Sequence, residues 1–316
     1  MKIFTATHRQ SVAAYGELRL ITEMRRWLGD VSPRTPFGIG DDCAVLPPTK
    51  RAQLVTTDPV IHGRHFDDTV PPRAAGAKLL KRNLSDIAAM GGRPVAAVLS
   101  LALAPATNVA WLREFYLGLA ACARRHRVKI VGGDITQAPA GFFGAFLTLH
   151  GEAASHRVIT RTGAKQRDHL FVTGRLGGSR RGHHYAFQPR LAEGAWLARQ
   201  PEVTAMMDVS DGIAKDVQAL TPAGLTASIA PSALPVSADA RAVARHSRQP
   251  AWVHALTDGE DYELLFVVRG RTDAAKFSAR WKKKFTTPLH RIGHFSKVIE
   301  PGHVDWPSLH GYEHLR

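Results

Sequence analysis

The sequence predicts a mixed α/β (α+β) chain folded as two domains. Short β-rich runs alternate with amphipathic helical stretches along its whole length. The alternation restarts near residue 155, after one full set of elements. The chain also has 316 residues, more than one average domain. The domains are accordingly drawn at 1–152 and 153–316.

In the first half, GELRLITEMRRWLG (16–29) places Leu18, Ile21, Met24 and Leu28 on one side of a helix. QLVTTD (53–58) is a short strand that ends in an acid. AGAKLLKRNLSDIAAMG (75–91) reads as a helix stopped by Gly91 and Gly92. PVAAVLSLALA (94–104) is a buried strand, and NVAWLREFYLGLAACARRHR (108–127) a long amphipathic helix. VKIVGGD (128–134) is a strand running into a glycine turn, and GFFGAFLTLHGEA (141–153) is another strand.

The second half opens with DHLFVTGRLGG (168–178), a strand and a glycine-rich turn. Residues 180–200, rich in Arg, His and Pro, read as a helical or irregular insertion. TAMMDVSDGIAKDVQALT (204–221) is a strand, a turn and a helix, and LTASIAPSALPVSAD (225–239) a strand and a loop. DYELLFVV (261–268) is a strand, followed by a charged helix around 272–284 and a last strand at LHRIGHF (289–295). No short-period repeat or low-complexity tract occurs.

Hydrophobic residues make up 44 % of the chain and charged residues 22 %, an ordinary globular composition. Lys and Arg number 42 against 27 Asp and Glu, a formal charge of +15. That excess fits nucleic-acid binding, attraction of phosphorylated small molecules, or a solvated basic surface. No RNA- or DNA-binding signature accompanies it, so no nucleic-acid partner is expected. Cys43 and Cys122 form no CxxC pair, which supports neither a disulfide framework nor a cysteine zinc site. A reducing, cytoplasmic setting is expected. The N-terminal stretch lacks the apolar core of a secretory signal, and no run of about 18 apolar residues suggests a membrane span.

Acids recur beside glycine, Ser or Thr at expected strand–loop junctions. They occur in GIGDDCAVL (38–46), LVTTDPVIHGRHF (54–66), NLSDIAAMGG (83–92), IVGGDIT (130–136), MMDVSDGIA (206–214) and LTDGEDYELLF (256–266). Turn chemistry alone explains any one of them, since Asp bonds its own backbone and Gly supplies positive φ. Six in one chain, each flanked by hydrophobic residues, point to oxygen ligands for Mg²⁺. That ion binds through one or two carboxylates plus substrate phosphates and waters. Asp208 is expected at a strand end, with Ser210 or Asp211 capping the following helix near an anion. Other chemistries lack their signatures: there is no GxxxxGK[ST], no HExxH and no GxSxG, and GRLGGS (174–179) is not a dinucleotide fingerprint. Cys43 reads as a packed rather than a catalytic thiol, and His65 as a surface or locally bonded histidine.

In this order the segments resemble the thiamine-monophosphate kinase family, of the superfamily that includes aminoimidazole-ribonucleotide synthetase. GIGDDCAVL, TTDPVIHGRHF, NLSDIAAMGG, VGGD, ITRTGAKQRDHLFVTGRLGGS, DVSDG and GEDYELLF carry the likeness, which runs from GELRLI (16–21) to GYEHL (311–315). The reactive cysteines of the selenophosphate-synthetase and hydrogenase-maturation branches have no counterpart here. The resemblance implies an aminoimidazole-ribonucleotide synthetase-like fold of two domains, the first pairing with its copy in a homodimer. It implies transfer of the γ-phosphoryl group of ATP to thiamine monophosphate, giving thiamine diphosphate, with no membrane partner. The alternative is a related enzyme of the superfamily that acts on another small phosphorylated acceptor.

Carried over by position, the resemblance implies Mg²⁺ ligation by Asp42, Thr56, Thr57, Asp58, Asp86, Asp134, Asp208 and Asp211. Gly132, Gly133, Arg161 and Ser210 match nucleotide-contacting positions, and His65 and Glu260 hold the substrate phosphate. Asp58, Asp86 and Arg161 are the residues expected to carry catalysis. Three departures stand out. Leu315 occupies the place of a family aromatic, with Trp306 and Tyr312 nearby in sequence. The GAKPGD turn reads GAKQRD (163–168), and TDTLVEGVHF reads TDPVIHGRHF (57–66).

Overall fold

A computed structural model describes residues 1–35, 37–39 and 43–313. The chain divides into two compact units, Met1–Ile87 with Arg93–Glu152, and Ala88–Gly92 with Ala153–Arg316.

The first unit runs α1 (Val12–Tyr15), α2 (Glu17–Leu28), β1 (Gln53–Ile61), α3 (Pro72–Ala89), β2 (Gly92–Leu103), α4 (Val109–His126), β3 (Lys129–Gln137) and β4 (Phe143–Ala153). Its four strands form one sheet in the order β1-β4-β2-β3. β1 and β4 are antiparallel, in register from Gln53 opposite Glu152 to Ile61 opposite Gly144. β2 and β3 are parallel, and α4 is the crossover that such a pair requires. Pro59 lies within β1, and β1 is an edge strand, the place a sheet tolerates proline.

Alternation along β1 buries Leu54 and Val60 on one face and leaves Val55 69 % exposed on the other. Helices cover the buried face. Ile87 of α3 lies against Gly151 of β4, and Trp111 and Phe115 of α4 pack edge-to-face on Phe143. α3 and α4 cross at two glycines. A Cβ on Gly76 would lie 1.9 Å from the Phe115 carbonyl oxygen, and one on Gly118 would lie 2.0 Å from that of Arg73. On α2 the buried residues are Leu20, Met24, Trp27 and Leu28, while Leu18 is 82 % exposed. The expected stripe was rotated: Leu20, Trp27 and Leu28 repeat at helical spacing, with Trp27 edge-on to Tyr116 of α4.

The second unit contains β5 (His169–Thr173), α5 (His183–Ala186), α6 (Leu191–Leu197), β6 (Val203–Asp208), α7 (Ile213–Leu220), β7 (Thr226–Ile229), α8 (Ala238–Ser247), α9 (Ala251–Thr257), β8 (Leu264–Val268), α10 (Ala274–Lys284) and β9 (Leu289–Ser296). The sheet order is β6-β8-β5-β9-β7, and its four neighbouring pairs are all antiparallel. Both faces are covered. Leu170, Val172, Leu265 and Val267 pack with α7 and α9, whereas Phe171, Leu264, Phe266 and Val268 pack with Phe277 and Trp281 of α10. A strand buried on both faces reads as an unbroken apolar run, which is why LLFVV stood out in the sequence. Among the described residues, no helix is long and apolar enough to cross a membrane.

Candidate active site

In the first unit, β1 alternation turns Thr56 and Asp58 toward the helix-covered face and Thr57 toward the open one. Thr56 Oγ1 donates to Asp86 Oδ2 at 2.5 Å. Asp58 Oδ1 accepts from Arg82 Nη2 at 3.1 Å, while Arg82 Nη1 donates to the Pro59 carbonyl. Arg82 and Asp86 stand one turn apart on α3, so one helix face brings both to β1. Thr57 Oγ1 instead donates to the Leu147 carbonyl at 3.2 Å and accepts from Thr148. It is therefore separated from the Thr56, Asp58 and Asp86 group by the sheet. Asp134 is exposed on β3, opposite Ser100 of β2. Asp42 lies outside the described residues.

Gly132, Gly133 and Asp134 line a cavity of about 120 Å³ beneath Ile21, Met24 and Leu28 of α2. A small-molecule site usually takes roughly 300 Å³ or more, so this cavity accommodates part of a ligand at most. Gly133 is demanded by strand packing, because a Cβ there would lie 2.0 Å from the Leu99 carbonyl oxygen. His65 Nδ1 accepts from the Ile61 N–H at 3.1 Å, and its carbonyl accepts from Lys78 Nζ. That local bond leaves the ring proton on Nε2, making this nitrogen a donor. His62 is held by Asp68 at 3.2 Å, with its ring between Phe4 and Phe66.

In the second unit, β6 ends in Asp208, which is buried. Contrary to expectation, neither Ser210 nor Asp211 caps α7. The cap position is Gly212, at φ 92° with no side-chain cap. Asp216, in the first turn of α7, reaches back and accepts from the N–H groups of Ser210 and Asp211, both at 3.0 Å. An acid inside the helix thus does the work expected of one before it. Asp211 pairs with Lys215 at 2.6 Å, and Lys215 also donates to the Tyr312 carbonyl. The Tyr312 N–H donates to the Asp211 carbonyl, which fixes Tyr312 beside this turn. Trp306 is instead tied to the Ala227 carbonyl against the core. Leu315 lies outside the described residues.

The Asp216 carboxyl is pushed up to about 7, first by burial and then by the charges of Asp208 and Asp211. Three carboxyl groups, of Asp208, Asp211 and Asp216, thus lie near one another at the end of β6 with Lys215 as their cation, and their oxygen donors suit a hard divalent cation. Among the described residues, no three His, Cys, Asp or Glu side chains are gathered into a metal-binding group. An ion there would complete its shell with water or phosphate, as Mg²⁺ usually does.

The segment Gly259–Glu263 is laced to the same turn. Glu260 N–H donates to the Ser210 carbonyl at 2.7 Å and Tyr262 N–H to that of Val209 at 2.8 Å. Glu260 and Tyr262 are held at φ 53° and 51°, a left-handed conformation that costs a side-chain-bearing residue about 1 kcal/mol or more. Glu260 accepts from the Tyr262 hydroxyl at 3.3 Å and stands 3.8 Å from His184 Nδ1, while Tyr262 stacks on Phe187. Asp261 is buried with its carboxyl well above the usual range, and it accepts from the Gly177 N–H. Glu263 is gripped by Arg190 through two hydrogen bonds and by Thr173. Arg161 is exposed, on a segment whose Thr160 carbonyl accepts from Met206 of β6.

Ser210, Asp211 and Glu260 thus lie together in the second unit, and Thr56, Asp58 and Asp86 in the first, with Thr57 on the opposite face of its sheet. Sequence reasoning passed over Arg82, Lys215, Asp216, Arg190 and His184. Arg82 had a signal, since it precedes Asp86 by one helical turn, and Lys215 follows Asp211 by the same interval. Cys43, expected to be packed, is exposed.

A family model described as AIR synthase related protein, N-terminal domain, matches residues 40–153. A thiamine-monophosphate kinase of Rhodopirellula baltica is 36 % identical over 273 residues, covering 83 % of this chain and 84 % of that protein. The crystal structure of the thiamine-monophosphate kinase from Stenotrophomonas maltophilia aligns with a TM-score of 0.71 at 30 % identity, over 89 % of this chain and 94 % of that one. A structure described as AaThiL complexed with AMPPCP and TMP aligns with a TM-score of 0.69 at 27 % identity, over 93 % and 94 % of the two chains. With likeness of this extent to relatives of one kind, this chain belongs to the thiamine-monophosphate kinase family.

Proposed function

We propose that this protein transfers the γ-phosphoryl group of ATP to the phosphate of thiamine monophosphate, giving thiamine diphosphate and ADP. The observation that carries the reading is kinship over most of the chain with kinases of this name, one relative being described with AMPPCP and TMP bound. In the reaction a phosphate oxygen of the acceptor forms a new bond to the γ-phosphorus. The bond from that phosphorus to the bridging β–γ oxygen breaks, and the electron pair leaves with ADP. The acceptor oxygen is already ionised at neutral pH, so no strong general base is needed.

Thr56, Asp58, Asp86 and Asp134 in the first unit, and Asp208 and Asp211 in the second, are the proposed oxygen ligands for Mg²⁺, joined by Asp42. A bound Mg²⁺ would neutralise the polyphosphate and template it for in-line transfer. The remaining work falls to the chain's own groups. Arg82 and Lys215 hold Asp58 and Asp211 in place and partly offset their charge. Arg161, exposed and cationic, suits contact with a phosphate. The Ser210 N–H already serves Asp216, so Ser210 would address the nucleotide through its side chain. His65 with its Nε2 proton and Glu260 in its strained turn are the proposed contacts of the acceptor.

The open face of the first sheet presents Val55, Val98 and Phe146, each at least 39 % exposed. An exposed apolar face of this kind supports a homodimer, and two unpaired cysteines accord with a cytoplasmic setting. The deciding experiment measures ATP consumption with thiamine monophosphate and with a panel of phosphorylated acceptors, with and without Mg²⁺. Thiamine diphosphate formed from thiamine monophosphate alone, and abolished by chelation, is the expected result. Equal use of several acceptors, or turnover in EDTA, would overturn it.

A further inference from the structure

At the other end of β6 from Asp208, Lys165, Arg167, Arg269 and Arg271 line a cleft of about 450 Å³ with Asp168 and Thr204. Thr204 is the second residue of the strand that Asp208 ends, about 13 Å away at roughly 3.3 Å per residue. The four cations are exposed, and none makes an ion pair with a described residue. The acids around them are committed elsewhere. Asp168 is buried and accepts from the N–H groups of Gly270 at 2.7 Å and Lys165 at 2.9 Å. Glu202 pairs with Arg280, and Asp273 accepts from the first N–H groups of α10. Four cations therefore face one carboxylate whose two oxygens already serve the backbone.

The cleft has a built form. Main chain packs on main chain along it, since a Cβ on Gly163 would meet the carbonyl of Thr204 on β6 at 2.5 Å and one on Gly270 the Arg167 carbonyl at 2.3 Å. Arg167 lies beside that contact at φ 67°, a conformation that glycine adopts freely and an arginine does not. The chain thus keeps an arginine on strained backbone at the mouth of a cleft already rich in positive charge. Exposed cations are screened by salt, so each contact with an anion is weak and affinity requires several at once. Guanidinium groups pair with phosphate through two hydrogen bonds. The volume falls within the roughly 300–1,000 Å³ of small-molecule sites. We propose that this cleft binds a small anion bearing two or more phosphate groups, at a site separate from the carboxylate turn at Asp208.

The test titrates inorganic tripolyphosphate into the full chain by calorimetry, with EDTA present so that no divalent ion bridges phosphate to the acids. Binding in the wild type is expected, weakened at least fivefold in Arg167→Gly and at least tenfold in Arg269→Gln/Arg271→Gln. Arg167→Gly relaxes a left-handed residue, so its melting temperature should equal or exceed that of the wild type. Arg161→Gln and Asp208→Asn should bind as the wild type does. Pyrophosphate and ADP should compete at concentrations near those of tripolyphosphate. No binding in the wild type, undiminished binding in the cleft variants, or loss confined to Arg161→Gln would overturn the proposal. Displacement by a short single-stranded oligonucleotide but not by the diphosphates would overturn it as well.

Discussion

Where α3 and α4 cross, neither Gly76 nor Gly118 has room for a side chain. In Gly118→Ala the new methyl would sit 2.0, 2.5 and 2.6 Å from the carbonyl oxygen, Cα and carbonyl carbon of Arg73. All three are main-chain atoms of a helix, so no side chain can swing aside. Restoring contact distance requires the helices to part by about 1 Å in a close-packed interior that yields little. Overpacking on this scale costs about 3 kcal/mol, and alanine's better helix propensity returns about 1. The net loss is about 2 kcal/mol, or roughly 4–8 °C in melting temperature for a unit of this size. Gly76→Ala meets the Phe115 carbonyl at 1.9 Å and should cost as much. One separation of the helices relieves both clashes, so the double variant should lose clearly less than the sum. Arg82 and Asp86 ride on α3, so turnover should fall along with stability. Urea unfolding and thermal melting of the three variants decide the matter. Single variants as stable as the wild type, or strictly additive losses, would refute the reasoning.

Other expectations follow from the site and the buried groups. Asp58→Asn should lower turnover at least a hundredfold yet leave the fold intact, because asparagine can still accept from Arg82; full activity at saturating Mg²⁺ would exclude the ligand role. Glu260→Ala should raise KM for thiamine monophosphate more than KM for ATP, and an equal rise in both would count against it. Burial pushes the Cys122 thiol up to about 11, whereas Cys43 is exposed. A chromogenic disulfide at pH 8 should therefore titrate one thiol in the native protein and the second only in denaturant. Burial also holds His126, His169 and His290 below the ordinary histidine value of 6.5. The unfolded chain takes up these protons first, so their contribution is intact above that value and lost as pH falls below it. Melting temperature should drop from pH 7 to pH 5, and less steeply in His126→Gln/His290→Gln; parallel slopes would refute this.

The long first-unit helices and the buried strands were legible because their apolar spacing is set by the same burial that stabilises them. The stripe on α2 was misplaced because Leu18 and Leu20 are equally apolar, and only tertiary packing chose between them. α8 and α9 escaped notice: ADARAVARHS buries a single alanine, so its pattern is mostly that of a solvated face. Acids at strand ends were readable as a group, since glycine and Ser/Thr mark each junction. Their partners were not, because Arg190 lies 73 residues from Glu263 and no local pattern joins them. The capping role of Asp216 was hidden for a related reason. Start signals place an acid before or at a helix start, and here the bond runs backwards from within it.

Pro59 has a consequence for how copies of this chain can meet. An outer strand normally offers a row of donors and acceptors on which another chain can build. Midway along β1 the donor is missing, because proline has no N–H, and the acceptor is already taken by Arg82. A foreign strand trying to extend the sheet on this side would find a gap where its ladder should begin. Open-ended fibril growth is blocked there, so any meeting of copies has to use a surface other than this edge.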